Sequence, residues 1–265
     1  MLQFSILASG SSGNAVYIQS ETTRLLLDAG ISARQIRDRM RAAGADAFYD
    51  LDALLLTHEH VDHVRGFQQV VKQTEARVYA TEGTWHHVAR EVADHMPAER
   101  HHTVRPGEPF TIGDIRVTPF AVSHDAEEPV AYRFDAGGSA LTVLTDLGYV
   151  SDAIKSVVQG CQTYVWEANH DVEMLRTGRY PWHLKRRILG DKGHLSNEDA
   201  AVALADIVGD SAIDVYLAHL SEENNLPDLA ELTVHTILKE CRPLYGELVR
   251  LHRTSRTHPT PLTAL

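Results

Sequence analysis

Residues 53–63 read Ala-Leu-Leu-Leu-Thr-His-Glu-His-Val-Asp-His. The stretch 53–57 is an apolar run closed by Thr57, the pattern of a strand buried on both faces in an α/β protein. His58, His60, Asp62 and His63 follow within six residues. Imidazole and carboxylate are good ligands for borderline divalent metals. A regular helix would not bring 58, 60 and 62 onto one face, because residues two apart do not face each other. A strand end followed by a turn does, and the buried strand delivers the cluster to a fixed place. The stretch is read as a metal-binding strand-end loop, not as a solvated polar loop.

Outward from this stretch, short apolar strands alternate with amphipathic helices, with no internal repeat and no composition break. Strands are predicted over 2–8, 14–19, 24–28, 76–80, 163–167 and 213–218. Helices are predicted over 32–43, 63–73, 82–94, 151–159, 197–208 and 228–240. Residues 101–146 alternate and carry turn signals at Pro106-Gly107, Gly113-Asp114 and Gly137-Gly138, which predicts a β-meander. Ser196 with Asp199 opens the 197 helix in the manner of a capping box. The fold class is α/β, and two packed β-sheets with helices outside satisfy the order. One domain is expected over 1–253, with 254–265 a polar, flexible C-terminal tail.

Composition narrows the function classes. Hydrophobic residues make up 43% of the 265, an ordinary globular share that excludes disorder and fibre. No run approaches the ~18 apolar residues of a membrane helix. Residues 1–14 lack a basic, then apolar leader, so the expected compartment is the cytoplasm and no membrane partner is expected. Cys161 and Cys241 alone cannot build a disulfide framework. A net charge of −11 excludes a basic nucleic-acid coat but not a local basic groove. Sixteen His beside two Cys point to imidazole and carboxylate metal sites, not thiolate ones.

Three more candidates end apolar strands: His124 after 118–122, Asp146 after 141–144 and His219 after 215–218. Singly, each suits a turn or cap. Together, strand ends along one sheet edge build a shared site. No Gly-x-Ser-x-Gly elbow, P-loop or dinucleotide fingerprint is present.

The order His-x-His-x-Asp-His over 58–63, then His124, Asp146 and His219, resembles the metallo-β-lactamase-fold hydrolases. So does Asp28-Ala29-Gly30 behind an apolar strand. Four further stretches are similar to the YycJ/WalJ group: 9–14 (Ser-Gly-Ser-Ser-Gly-Asn), 167–171 (Glu-Ala-Asn-His-Asp), 193–197 (Gly-His-Leu-Ser-Asn) and 219–225 (His-Leu-Ser-Glu-Glu-Asn-Asn). The resemblance covers roughly residues 2–252.

The resemblance implies an αββα sandwich of two mixed sheets with outer helices and a dinuclear metal site at one edge. It implies His58, His60 and His124 on one divalent ion, Asp62, His63 and His219 on a second, and Asp146 bridging them. The ions would be Zn²⁺ or Mn²⁺, and a bridging hydroxide would be the nucleophile. The implied activity is a phosphodiesterase, and specifically a 5′-to-3′ DNA exonuclease whose substrate is single-stranded or end-bearing DNA. Asp62 and His194 are the catalytic candidates. His194 protonates the leaving oxygen or, alternatively, only neighbours a helix cap.

Candidate substrate contacts are Ser11, Asn14, Asn169, His170, Lys185, Arg186 and Ser196. Loop 9–14 is either an anion nest or a tight hairpin turn. The stretch around Lys185-Arg186-Arg187, with Tyr180 and Trp182, is either a single-strand platform or a solvated helix face with a buried Trp. Competing functions are hydrolysis of a small ester, thioester, lactone or cyclic phosphodiester, RNA processing, and non-catalytic partner binding. A complete ligand set speaks against the last.

Overall fold

The computed structural model describes residues 1–243 and 248–265. In chain order the elements are β1 (Gln3–Ala8), β2 (Ala15–Gln19), β3 (Arg24–Leu27), α1 (Ala33–Ala43), β4 (Ala53–Leu55), α2 (Val61–Val64), α3 (Phe67–Gln73), β5 (Arg77–Ala80), α4 (Glu82–Val92), β6 (His101–Thr103), β7 (Phe110–Ile112), β8 (Ile115–Ala121), β9 (Val130–Ala136) and β10 (Ser139–Leu144). They continue with α5 (Asp152–Val158), β11 (Thr163–Glu167), α6 (Val172–Thr177), α7 (Trp182–Ile188), α8 (Asn197–Ile207), β12 (Ile213–Ala218), α9 (Pro227–Cys241), β13 (Val249–Arg253) and β14 (Thr263–Ala264). The chain forms two compact units. The first holds 1–121, 126–139 and 254–265, and the second 122–125 and 140–253.

In the first unit the strand order is β14-β1-β2-β3-β4-β5-β6. Pairing is antiparallel from β14 to β3 and parallel from β3 to β6. Leu25, Leu26, Leu27, Leu54 and Leu55 are essentially inaccessible, as strands covered on both faces require. Helix α1 starts with a capping box of Ser32 and Gln35 and stops at Gly44, whose left-handed backbone (φ 99°) donates to the last carbonyls. A core of Leu26, Ile36, Met40, Leu54, Phe67 and Trp85, among others, packs beneath the strands. The antiparallel ribbon β7-β8-β9 belongs to this unit, and Asp114 in its turn accepts from Ser20, Thr22 and Thr23 in the β2–β3 turn.

The second unit is built on four parallel strands, β10-β11-β12-β13. Helices α5 to α9 supply the connections. Parallel strands point their C-terminal ends the same way, so residues that follow β10, β11 and β12 gather at one edge.

Three expectations change. The 63–73 helix is two helices, because the Gly66 amide donates to the Ala29 carbonyl (2.7 Å) instead of to the preceding turn. The predicted meander begins at 110, since β6 pairs in parallel with β5 instead. The tail is not frayed: Thr263 and Ala264 pair with Phe4 and Gln3, and Thr260 bonds both Ser5 and Ile6. Among the described residues no helix is long and apolar enough to cross a membrane.

Candidate active-site residues

In the first unit, β4 delivers Thr57 and His58 to a loop that is locked from behind. Asn14 donates its backbone N–H to the Asp62 carbonyl (2.8 Å), and Ala29 donates to the His63 carbonyl (2.8 Å). Gly30 lies against the same turn, where a Cβ would sit 1.7 Å from the Asp62 oxygen. Only glycine permits this approach. His58, His60, Asp62 and His63 are thereby brought together: the His58 Nε2 and His60 Nδ1 atoms are 3.0 Å apart, and the His58 and His63 rings are 4.1 Å apart.

Asp28 stands behind this loop and is almost fully buried. Its Oδ2 accepts from His63 Nδ1 (2.7 Å) and from the Thr57 hydroxyl (2.9 Å), and its Oδ1 accepts from the Thr57 amide (2.8 Å). A carboxylate can only accept, so His63 carries its proton on Nδ1 and its lone pair on Nε2, the tautomer a metal ligand needs.

In the second unit His124, Asp146, His194 and His219 converge. His124 Nε2 lies 3.9 Å and His219 Nδ1 3.4 Å from Asp146 Oδ1. The His194 ring stands between the others, 5.1 Å from His124 and 5.2 Å from His219. Burial disfavours the charged form of His124 and pushes its pKa down. His194 is the partly exposed member, at 19% against 2% for the side chains of His124 and His219. Asp28, Asp146 and His219 are the non-glycine residues with positive φ among those described, at 59°, 63° and 56°.

Glu167, which closes β11, has no accessible surface. Its Oε1 accepts from both His194 Nδ1 (2.9 Å) and His219 Nδ1 (2.8 Å). Its Oε2 accepts from the amides of Leu147 (3.1 Å) and Leu195 (3.2 Å). Burial alone would raise its pKa, but the two imidazoles outweigh that and hold it down, to about 2. Both Glu167 oxygens are thus engaged, one on the imidazoles and one on backbone amides. The shared carboxylate accepts the Nδ1 proton of both rings and turns each Nε2 away from it.

The remaining candidates divide. Asn169 donates to the His219 carbonyl (2.8 Å) and so fixes the His219 backbone. His170 is 1% exposed, neither ring nitrogen has a hydrogen-bond partner among the described residues, and burial pushes its pKa down to about 4. Ser196 is the cap of α8, accepting from the Asp199 amide (3.0 Å). Loop 9–14 forms a tight turn in which the amides of Gly10, Gly13 and Asn14 are spent on Asn14 Oδ1, the Gly10 carbonyl and the Asp62 carbonyl. Ser11 is exposed on that turn, and Asn14 faces inward to His63 Nε2 at 3.1 Å.

Lys185 also turns inward. It is 7% exposed and donates to the Arg176 and Gly178 carbonyls (both 2.7 Å), satisfying the end of α6, whereas Arg186 is exposed. Asp28 and Glu167 were absent from the predicted site residues. Each is an acidic residue closing an apolar strand, a position where a carboxylate must find a partner.

Residues 23–219 match the β-lactamase superfamily domain. The chain is 43% identical to an exodeoxyribonuclease YycJ from Bacillus anthracis, over 98% of both chains. It is 41% identical to an exodeoxyribonuclease WalJ from Streptococcus pneumoniae, over 99% of this chain and 98% of the other. The chain belongs to the YycJ/WalJ family of the metallo-β-lactamase superfamily. Its fold is shared with solved structures of low identity. YhfI from Bacillus subtilis has a TM-score of 0.71 at 15% identity over 97% of this chain and 98% of that one. Zn²⁺-bound PqqB from Methylobacterium extorquens has a TM-score of 0.70 at 20% identity over 99% and 100%.

This α/β fold, with its two mixed sheets and helices, implies divalent-metal binding in the superfamily. The donor chemistry of a YycJ/WalJ member fits: buried imidazoles held in one tautomer by carboxylates behind them, with a further carboxylate, Asp146, alongside.

Proposed function

We propose that this chain is a metal-dependent exodeoxyribonuclease that digests DNA from the 5′ end. The observation that carries the reading is Glu167 held between His219 and His194. One carboxylate there serves a ligand imidazole and a second, partly exposed imidazole. Phosphodiester cleavage needs that combination, because charge must be neutralised and the leaving oxygen must receive a proton. The names of the close YycJ and WalJ relatives support DNA as the substrate.

In this reading the ligands are His58, His60 and His124 for one ion, Asp62, His63 and His219 for a second, and Asp146 for both. That assignment rests on the order of the motif residues along the sequence. Zn²⁺ and Mn²⁺ both suit such imidazole and carboxylate donors. When bound, the ions supply Lewis acidity, a lowered pKa for water and a clamp on the phosphoryl oxygens.

The protein's own residues do the rest. Asp28 and Glu167 orient the ligand imidazoles by accepting their Nδ1 protons. His194 keeps its Nδ1 proton on Glu167 and, as the imidazolium, delivers its Nε2 proton to the leaving oxygen. The ionised Glu167 stabilises the His194 imidazolium that carries this proton up to the transfer. His170, buried and without a polar partner, is left for contact with the bound strand end.

The test is digestion of 5′-phosphorylated, end-labelled single- and double-stranded DNA with Mn²⁺ or Zn²⁺ and a chelator control. Stepwise, metal-dependent release of mononucleotides from the 5′ end is expected. Turnover of a small ester or thioester with no attack on DNA would discard the reading.

A further inference from the structure

We infer that α6, α7 and the loop after them form a platform for single-stranded DNA, with Trp182 as the base-stacking residue and Arg179, Arg186 and Lys192 as the phosphate contacts. The inference rests on the nuclease reading and deepens it by naming the strand-binding surface and the form of DNA that surface takes.

Charge is the first observation. Residues 176–192 hold six Lys or Arg against one Asp, in a chain whose net charge is −11. The basic residues differ in their surroundings. Lys185 is spent on buried carbonyls. Arg176 pairs with Glu173 across one helical turn, and Arg187 pairs with Asp125. Arg179, Arg186 and Lys192 are exposed and make no ion pair among the described residues. Three unpaired cations on one short stretch of an acidic protein are an electrostatic footprint for a polyanion.

The second observation is aromatic. Of the three tryptophans, Trp85 and Trp166 are 4% and 0% exposed, but Trp182 is 60% exposed at the start of α7. Nothing in the fold's packing calls for a bare indole. A face open to solvent beside unpaired cations is what an unstacked base needs, and duplex DNA, whose bases are already stacked, cannot use it.

The third observation ties this surface to the catalytic residues of the same unit. The end of α7 is pinned under His194: the His194 amide donates to the Ile188 carbonyl (3.0 Å) and the Gly193 amide to the Gly190 carbonyl (2.7 Å). Gly193 is packed so closely that a Cβ would meet the Ile188 oxygen at 2.1 Å. The Gly193 carbonyl lies 3.2 Å from His124 Nδ1, and the Asp191 carbonyl accepts from Ser123 (2.7 Å). From Trp182 to Ile188 the helix rises about 9 Å, or two to three base steps of ~3.4 Å. A strand with its terminal phosphodiester at His194 would present its next bases to Trp182.

The experiment is binding of a fluorescent phosphorothioate dT20 to the full, Mn²⁺-loaded chain as salt is varied, with tryptophan emission followed in parallel. Binding is expected to quench Trp182. Trp182→Ala should weaken affinity about 5- to 100-fold, the range for losing one base–aromatic stack, and Trp182→Phe should restore most of it. The triple variant Arg179→Ala, Arg186→Ala, Lys192→Ala should lower the salt slope by about 2, from ~0.7 per phosphate contact. Binding and salt slope equal to the unaltered chain in both the Ala and the triple variant would overturn the platform alone. An unaltered chain that binds no oligonucleotide yet hydrolyses a small phosphodiester would overturn the DNA reading, and the platform with it.

Discussion

Asp28 and Glu167 do similar work in different units, but they are wired differently. Asp28 spends its oxygens on one imidazole and one threonine, so it positions a single ring, His63. Glu167 divides one oxygen between two imidazoles and anchors the other on two backbone amides. The number of rings behind which a carboxylate stands decides what its loss does. Removing Asp28 loosens a ligand. Under the proposed function, removing Glu167 would loosen a ligand and the proton donor together.

The largest effect is therefore expected from Glu167→Ala. Losing an orienting carboxylate costs roughly 10–100-fold, and losing a general acid roughly 10²–10⁴-fold, so turnover should fall about 10³–10⁶-fold with reduced metal content. A loss no greater than that of Asp28→Ala would break the comparison. Next is His194→Ala, which should retain metal by elemental analysis yet turn over about 10²–10⁴-fold more slowly. Metal loss in that variant would make His194 a ligand.

Asp28→Asn should weaken metal affinity about 10–100-fold, and excess metal should restore activity, as a titration would reveal. The smallest effect belongs to an exposed carboxylate. Hydrogen bonds from Ser20 and Thr23 lower the Asp114 pKa from 3.8 to about 2. A depressed pKa stabilises the folded chain above the unfolded value, and that stabilisation is lost as pH falls from about 4 toward 2. Asp114→Asn should thus lower the melting temperature at pH 7 by an amount worth under ~1 kcal/mol, and the gap should close near pH 2.

Much of this was legible in the sequence because parallel strands buried on both faces are continuous apolar runs. The positions that follow them, His58, His124, Asp146 and His219, could be read as strand-end residues without any structure. Glu167 was visible in the sequence as the end of strand 163–167, but its partners at 194 and 219 come from later turns, and no local pattern announces a shared oxygen. The α6–α7 segment was noticed for its charge and aromatics, not for its helices, which are only six and seven residues long. The alternative of a buried Trp there failed because α7 turns Lys185 inward and leaves Trp182 outside. The ordered tail was invisible for a different reason. Thr263 pairs with Phe4, and such distant pairing leaves no trace in local composition.

The left-handed backbone at Asp28, Asp146 and His219 carries one more consequence. Each such conformation costs an L-residue roughly 1–2 kcal/mol that glycine would not incur. At these three positions selection for a durable fold and selection for chemistry therefore pull in opposite directions. A library of this chain screened for thermal stability alone should drift toward glycine there, shedding carboxylates and an imidazole as it gains heat resistance. A descendant that had lost its catalytic duty would be recognisable by the same drift.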